Sequence, residues 1–173
     1  MRLFHVSEES DIREFLPRTP TRDDLDRSVG LVWAIEESKL SNFLTPRNCP
    51  RVGYHVAANT TAADRAAFFA TSSAEHALVI EGKWFEIMRD STLYLYEFDL
   101  KDFELQDASA GYYVAKTRQI PIAKHTITDL FSELIRRDVE LHVVENLWDI
   151  ADRVKRSTLD WSLCRMAFAK PRE

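Results

Sequence analysis

Glycine and cysteine are both scarce in this chain, and each scarcity excludes a class of site. The 173 residues include only four glycines, and no GxGxxG or Walker A pattern occurs. A Rossmann or P-loop nucleotide site is therefore excluded, because both need glycines where the backbone approaches the phosphates. The two cysteines, Cys49 and Cys164, have no CxxC partner and no histidine at zinc-ligand spacing. We therefore expect two reduced thiols and no metal site.

Long apolar runs and an excess of positive charge are also missing. No stretch of about 18 apolar residues is present to cross a membrane. The N-terminal MRLFHVSEES lacks the apolar core of a signal peptide. A net charge of −5 argues against a general nucleic-acid footprint. We therefore expect a cytoplasmic protein without a membrane partner.

The composition that is present has the ordinary balance of a globular protein. Hydrophobic residues make up 45% of the chain and charged residues 29%. A chain of this length buries roughly two-thirds of its unfolded surface when it folds. We therefore expect residues 1–173 to form a single domain. Residues 17–28, rich in proline and charge, are predicted to form a surface loop.

Apolar patterning predicts an α+β fold with mixed sheets and flanking helices. Strands are predicted at residues 2–6, 31–35, 51–56, 92–99, 112–115 and 139–144. Helices are predicted from Thr61 to Phe69, from Ser73 to about Arg89, from Thr126 and from Asn146. Because helices and strands do not alternate regularly, this order favours α+β over a doubly wound sheet.

A glutamate interrupts an apolar stripe in the predicted helix over residues 73–89. Glu81 falls among Ala77, Leu78 and Trp84, where helical spacing calls for an apolar residue. A carboxylate against a core is costly unless it is paired. Two interpretations follow. Glu81 is a catalytic or ligand-orienting acid, or it is a structural partner of an arginine or a loop backbone.

A cysteine lies between two arginines in the segment 46–51, PRNCPR. Positive charge from Arg47 and Arg51 would favour the thiolate, which predicts a reactive Cys49 with His55 as its base. The same arginines, together with Arg118, would alternatively bind a phosphate or carboxylate. A third interpretation is a proline-braced turn with exposed arginines and a buried small thiol.

His5 lies among apolar neighbours in the first predicted strand. Such a histidine is either a core residue with its hydrogen bonds satisfied or a ligand for a ribose hydroxyl or a substrate carbonyl. Several aromatic residues are either core or a wall that stacks on a planar ring. They are Trp33, Tyr94, Tyr96, Tyr112 and Tyr113.

Three segments, in this order, resemble the ADP-ribosyltransferase-like superfamily. They are LFHVS at residues 3–7, LVWAI at 31–35 and GYYVAKTRQIPIAKHTITDL at 111–130. The resemblance implies a fold of that type, with NAD as the substrate. The whole chain also resembles a bacterial family of unknown function with the pattern LFHVSEE…F.PR…LVWAI…PR.CPRV.

The superfamily resemblance also implies site residues. It puts His5 and Ser7 on the NAD ribose, Trp33 beside the nicotinamide, and Tyr112 and Tyr113 in the third motif. His5 then has a catalytic role as well as a cofactor-binding one.

That third motif usually carries a glutamate, which this chain lacks, so Glu81 or Glu97 would have to supply the acid. The leading hypothesis is ADP-ribose transfer from NAD to an unknown acceptor. The alternative is a non-catalytic nucleotide- or phosphate-binding module, or a protein-interaction module, on the same fold.

Overall fold

The computed structural model describes residues 1–20, 26–70, 72–108 and 110–172. Its strands are β1 (Leu3–Ser7), β2 (Val32–Glu36), β3 (Arg51–His55), β4 (His76–Glu81), β5 (Leu93–Phe98), β6 (Glu104–Asp107), β7 (Tyr112–Ala115), β8 (Ala123–Ile127), β9 (Val139–Val144) and β10 (Asp160–Cys164). Its α-helices are α1 (Ala62–Phe69), α2 (Phe85–Arg89), α3 (Leu130–Arg136) and α4 (Trp148–Lys155). Short 3-10 helices cover Glu37–Phe43, Gly82–Trp84, Leu100–Asp102 and Met166–Phe168.

The chain divides into two compact units, and the first contains a six-stranded sheet. This six-stranded unit is drawn from Met1–Phe43 and Thr92–Ile127. Its strand order is β6-β7-β2-β1-β5-β8, with every neighbouring pair antiparallel. One face of the sheet carries a buried cluster that includes Leu3, Ala34 and Phe98. Phe15, from the segment after β1, packs against that cluster.

The four-stranded unit is drawn from Leu44–Ser91 and Thr128–Glu173. Its strand order is β10-β3-β4-β9, and only the pairing of β4 with β9 is parallel. Side chains of α1 and α4 form a buried cluster with one face of this sheet, through residues such as Phe69, Val79 and Val154. Two sheets that are almost wholly antiparallel, with separate helices, confirm the predicted α+β class.

The predicted helix over residues 73–89 is wrong. Its first half is β4, which pairs with β3 on one side and β9 on the other. Residues 77–81 are all buried, so β4 reads as a continuous apolar run rather than an alternating one. Such a run also fits helical spacing, which is why the pattern was ambiguous. Helix begins only after Gly82 and is confined to the short α2.

The structure confirms a helix near each of the other three predicted places, and one of these helices begins later than predicted. Thr61 caps α1, and its hydroxyl oxygen accepts the Asp64 N–H at 3.2 Å. The helix predicted from Thr126 begins instead at Leu130, because Asp129 is its N-cap and Thr126 belongs to β8. The Asn146 side chain accepts the Trp148 N–H at 2.9 Å where α4 starts. In the part of the chain that the structure describes, no helix has both the length and the apolar character to cross a bilayer.

The predicted loop over residues 17–28 is only partly covered by the structure. Residues 21–25 lie outside the described residues. The two sides of the loop meet where Arg18 and Leu31 exchange backbone hydrogen bonds at 3.1 and 2.9 Å. The surface loop over residues 17–28 therefore stays a prediction. The single domain over residues 1–173 also stays a prediction.

Candidate functional site

His5 lies on β1, the strand that has β2 on one side and β5 on the other. Its ring Nδ1–H donates to the Trp33 carbonyl oxygen at 3.0 Å. The Phe15 ring lies over it, with the two ring centroids 4.7 Å apart. Because Nδ1 is the donor, Nε2 is left as the acceptor of the neutral ring.

The imidazole of His5 is held in its neutral form. Burial lowers the pKa of His5 below its ordinary value, and the positive charge of Arg18 lowers it further. The hydrogen bond to Trp33 opposes this shift but does not reverse it. The ring is therefore a hydrogen-bonding group at neutral pH and not a cation.

Cross-strand pairing puts several other side chains on the same face as His5. Tyr96 lies directly opposite His5, and Lys124 lies opposite Tyr96 on the next strand. Ser7 is on this face too, because alternate residues of a strand project to the same side. We call this surface the His5 face. It contains both His5 and Ser7, and their role in binding a ligand stays a prediction.

A cleft of about 370 Å³ adjoins the His5 face, at the side of β5 and β8. Its lining includes Tyr96, Lys124, Arg13 and Asp11. The Tyr96 hydroxyl fixes the covering segment by donating to the Glu9 carbonyl at 2.7 Å and accepting the Ile12 N–H at 3.1 Å. The Lys124 ammonium donates to the Ser10 carbonyl at 2.7 Å. The cleft thus places two cationic side chains, Arg13 and Lys124, beside the buried Tyr96.

The aromatic residues assigned to the nicotinamide are divided between the two faces of the sheet. Trp33 and Tyr112 lie on the face opposite His5, where their rings meet edge to face at 5.4 Å. Tyr113 is on the His5 face, but its hydroxyl reaches the Met1 sulfur at 3.4 Å. The resemblance assigned His5 to the ribose and Trp33 to the nicotinamide of one NAD, but the two side chains lie on opposite faces of the sheet, because successive residues of a strand point to opposite sides.

Glu97, the second candidate acid, also lies on the face opposite His5. The Arg2 guanidinium binds it in a bidentate manner, with N–O distances of 2.9 and 2.8 Å. The His125 ring donates to the same carboxylate at 2.9 Å. These hydrogen bonds lower the pKa of Glu97 to about 2. Glu97 is therefore a fixed anion in an ion-pair network.

Glu81, the first candidate acid, ends β4 in the four-stranded unit and is fully buried. Its Oε1 accepts the backbone N–H of Lys170 at 2.8 Å. Its Oε2 lies 3.3 Å from the Lys83 ammonium but has no hydrogen bond to a described atom. The observed partner is thus a loop backbone, which is the structural interpretation. A catalytic role for Glu81 is wrong for this conformation, because no substrate reaches a fully buried carboxylate.

Cys49 is a buried thiol, and the reactive-thiol interpretation is wrong. Burial raises the pKa of Cys49 to about 12, although Arg51 and Lys83 act in the opposite direction. Its supposed base, His55, lies at the far end of β3, which spans roughly 13 Å by itself. The Arg51 guanidinium is buried too and donates to the Cys49 carbonyl at 3.0 Å. The buried thiol agrees with the third interpretation, but Arg51 braces the turn from a buried position, whereas that interpretation had the arginines exposed.

The three arginines predicted to bind an anion are divided between the two units. Arg47 and Arg51 belong to the four-stranded unit, and Arg118 belongs to the six-stranded unit. Arg118 pairs with Glu14 at 3.0 Å on the surface. Among the described residues, no group of three or more histidine, cysteine or acidic side chains is arranged to hold a metal ion.

The sequence pattern did not identify Lys124 and Arg13 as site residues. It listed Tyr96 only among several aromatic residues that form either the core or a stacking wall. Lys124 was missed because β8 was not predicted as a strand. The signal that would have found it is the alternation across AKHTI, where Lys124 and Thr126 occupy one side and His125 the other. Arg13 carries no local signal, because only the folded segment brings it to the cleft.

The fold and this face define an α+β protein with a candidate small-molecule cleft on its antiparallel sheet. The chain belongs to a family of unknown function, DUF6886, whose model matches residues 4–169. Both units lie almost wholly within the matched range. No curated protein matches the chain, and no solved structure matches it.

Proposed function

We propose that the six-stranded unit binds a nucleotide-like ligand, NAD or a related phosphorylated nucleoside, on the His5 face. One observation carries the proposal. His5 and Ser7 share a face of the sheet with Tyr96 and Lys124, and the latter two line the cleft. A neutral His5 would accept a ribose hydroxyl at Nε2, while Arg13 and Lys124 would face the phosphate.

The size of the cleft limits what it holds. A volume of about 370 Å³ lies near the lower end of the range for small-molecule sites. It therefore suits one phosphorylated nucleoside better than a whole dinucleotide. We therefore expect the adenosine half of NAD to be the better fit.

Binding without ADP-ribose transfer is the form of the proposal that the geometry favours. Transfer needs a carboxylate near the positive charge that develops on the ribose. Glu81 is fully buried, and Glu97 is bound by Arg2 on the face opposite His5. This arrangement supports the non-catalytic alternative over the transferase hypothesis.

The test is a calorimetric titration of NAD, ADP-ribose and AMP into the wild type and His5→Asn. Asparagine keeps an N–H to donate to the Trp33 carbonyl but loses the Nε2 acceptor. We expect about 5- to 10-fold weaker binding, the worth of about one hydrogen bond. Trp33→Phe, on the opposite face, is the matched control and should bind as the wild type does.

Two results would contradict the proposal. If none of the three ligands gives a heat of binding at millimolar concentration, the proposed site does not exist. If the wild type and His5→Asn bind with equal affinity, His5 does not contribute to binding. Nicotinamide release in the same samples would restore the transferase hypothesis and point to Asp11, the carboxylate that lines the cleft.

A further inference from the structure

The four-stranded unit holds the last described segment of the chain through that segment's backbone. We call residues 166–172 the tail. Beyond its 3-10 turn the tail is extended, with φ −69° and ψ 161° at Ala169. The Lys170 N–H donates to Glu81 at 2.8 Å, and the Lys170 carbonyl accepts the Trp148 indole N–H at 2.8 Å. Both polar groups of one residue are thus bound by side chains of the unit.

Two further side chains bind the backbone on either side of Lys170. The Lys83 ammonium donates to the Phe168 carbonyl at 3.1 Å. The Asn146 amide donates to the Pro171 carbonyl at 3.1 Å. Proline has no N–H, so this position needs only an acceptor contact. Side chains that bind successive backbone groups are typical of peptide-recognition grooves.

The basic side chains of the tail form ion pairs with carboxylates of the four-stranded unit. The Lys170 ammonium pairs with Glu145 at 3.1 Å. The Arg172 guanidinium makes a bidentate pair with Asp152, at 2.7 and 2.9 Å. The same guanidinium lies 4.3 Å from the centre of the Trp148 ring. The groove therefore presents carboxylates to a basic segment, with an aromatic platform for the arginine.

We propose that this groove is a recognition site for an extended basic peptide of another protein, and that the tail occupies it in cis. The features recognised are an extended backbone and the basic pattern of Lys170, Pro171 and Arg172. This inference rests on the four-stranded unit alone and does not depend on the proposed nucleotide site.

The energies of these contacts favour replacement of the tail by another peptide over dissociation of the tail that leaves the groove empty. The ion pairs of the tail involve side chains that are 39–88% exposed, and such pairs contribute about 0–1 kcal/mol each. Glu81 is different, because a fully buried carboxylate that loses its donor is strongly destabilised. A competing peptide that donates the same N–H would take the place of the tail without leaving Glu81 unpaired.

The test uses a fluorescein-labelled peptide with the sequence of the tail, MAFAKPR, titrated into the full chain with anisotropy as the readout. Arg172→Glu weakens the occupant in cis by placing like charge against Asp152. We expect this variant to bind the peptide several-fold more tightly than the wild type. Arg165→Glu makes the same charge change just before the tail, and it should bind as weakly as the wild type.

A second substitution in the Arg172→Glu background separates the groove from a general charge effect. Trp148→Phe keeps an aromatic ring but removes the indole N–H, and it should weaken peptide binding several-fold. A peptide with Lys and Arg replaced by Glu should not bind. Circular dichroism of each variant confirms that the fold is retained.

Three outcomes would overturn the proposal. The first is no peptide binding to Arg172→Glu. The second is equal binding to Arg165→Glu and Arg172→Glu. The third is a concentration-dependent dimer in light scattering that Asp152→Lys dissolves, because the occupant would then be the tail of a second copy.

Discussion

Two opposing influences act on the thiol of Cys49. Desolvation favours the neutral thiol, whereas the nearby cations Arg51 and Lys83 favour the thiolate. Desolvation is the larger effect, and it raises the pKa of Cys49 to about 12. At pH 7 a thiol with so high a pKa is almost wholly un-ionised. A motif that places cysteine between arginines therefore predicts reactivity only where water reaches the sulfur.

We predict that Cys49 resists iodoacetamide in the folded protein. Cys164 is partly exposed and should be alkylated first, as followed by intact mass at pH 8. Cys164→Ser leaves Cys49 as the single cysteine, so this variant should stay unmodified in buffer and react fully in denaturant. Rapid labelling of folded Cys164→Ser would show that Cys49 is accessible after all.

The charge of Glu97 makes the stability of the six-stranded unit depend on acid pH. Hydrogen bonds from Arg2 and His125 hold the pKa of Glu97 at about 2 in the folded state, below its unfolded value of about 4.3. A carboxyl whose pKa is lower in the folded state stabilises that state above the unfolded pKa. We therefore expect this stabilisation to disappear as the pH falls from about 4.5 to 2.

Glu97→Gln tests that dependence. We expect it to lower the free energy of unfolding by about 1–2 kcal/mol at pH 7, because the side chain of Glu97 is only 14% exposed. The difference from the wild type should shrink towards pH 3, as measured by urea unfolding at several pH values. Glu104→Gln removes a pair with Lys116 that is largely exposed, so it should cost under about 0.5 kcal/mol. A loss for Glu97→Gln that is independent of pH would contradict the assignment.

At the scale of elements, the structure departs from the sequence analysis in two kinds of strand. Strand β4 was assigned to a helix because a central strand is apolar on both faces. The strands β6, β8 and β10 were not predicted, and each lies at the edge of its sheet. Edge strands have one strand neighbour and carry many exposed polar side chains, so they lack the apolar pattern that marks a strand.

The start of α3 can be tested, because the sequence predicted that the helix begins at Thr126 whereas the structure has it begin after Asp129. The Asp129 carboxylate accepts the Ser132 N–H at 2.9 Å, which makes Asp129 the N-cap. We expect Asp129→Ala to lower the free energy of unfolding by about 1 kcal/mol, measured by urea titration. Asp129→Asn should retain most of the wild-type free energy of unfolding, since asparagine is also a good N-cap.

Thr126→Ala is the matched comparison. The sequence assigns Thr126 to the start of this helix, whereas the structure puts it in β8 with its side chain exposed. We therefore expect a change within about 0.5 kcal/mol. A larger loss for Thr126→Ala than for Asp129→Ala would favour the boundary predicted from the sequence.

At the scale of the whole molecule, each unit joins segments that are far apart in the chain. In the six-stranded unit, Leu3 pairs with Phe98 across β1 and β5. In the four-stranded unit, His76 pairs with Val139 across the parallel strands β4 and β9. Neither pairing has a local signal, because a strand's apolar pattern shows that one or both of its faces are buried but not which strand lies beside it.

The sequence by itself determined the α+β class, most central strands, the cap of α1 and the placement of His5 and Ser7 on one strand. These features depend on residues within a few positions of one another, and local physics decides them. Only the tertiary structure decided that Trp33 lies behind the sheet from His5, that Cys49 is buried, and that Glu81 binds the tail. Each of these outcomes depends on which distant segment covers a side chain, since burial is a property of the assembled chain and not of the local pattern.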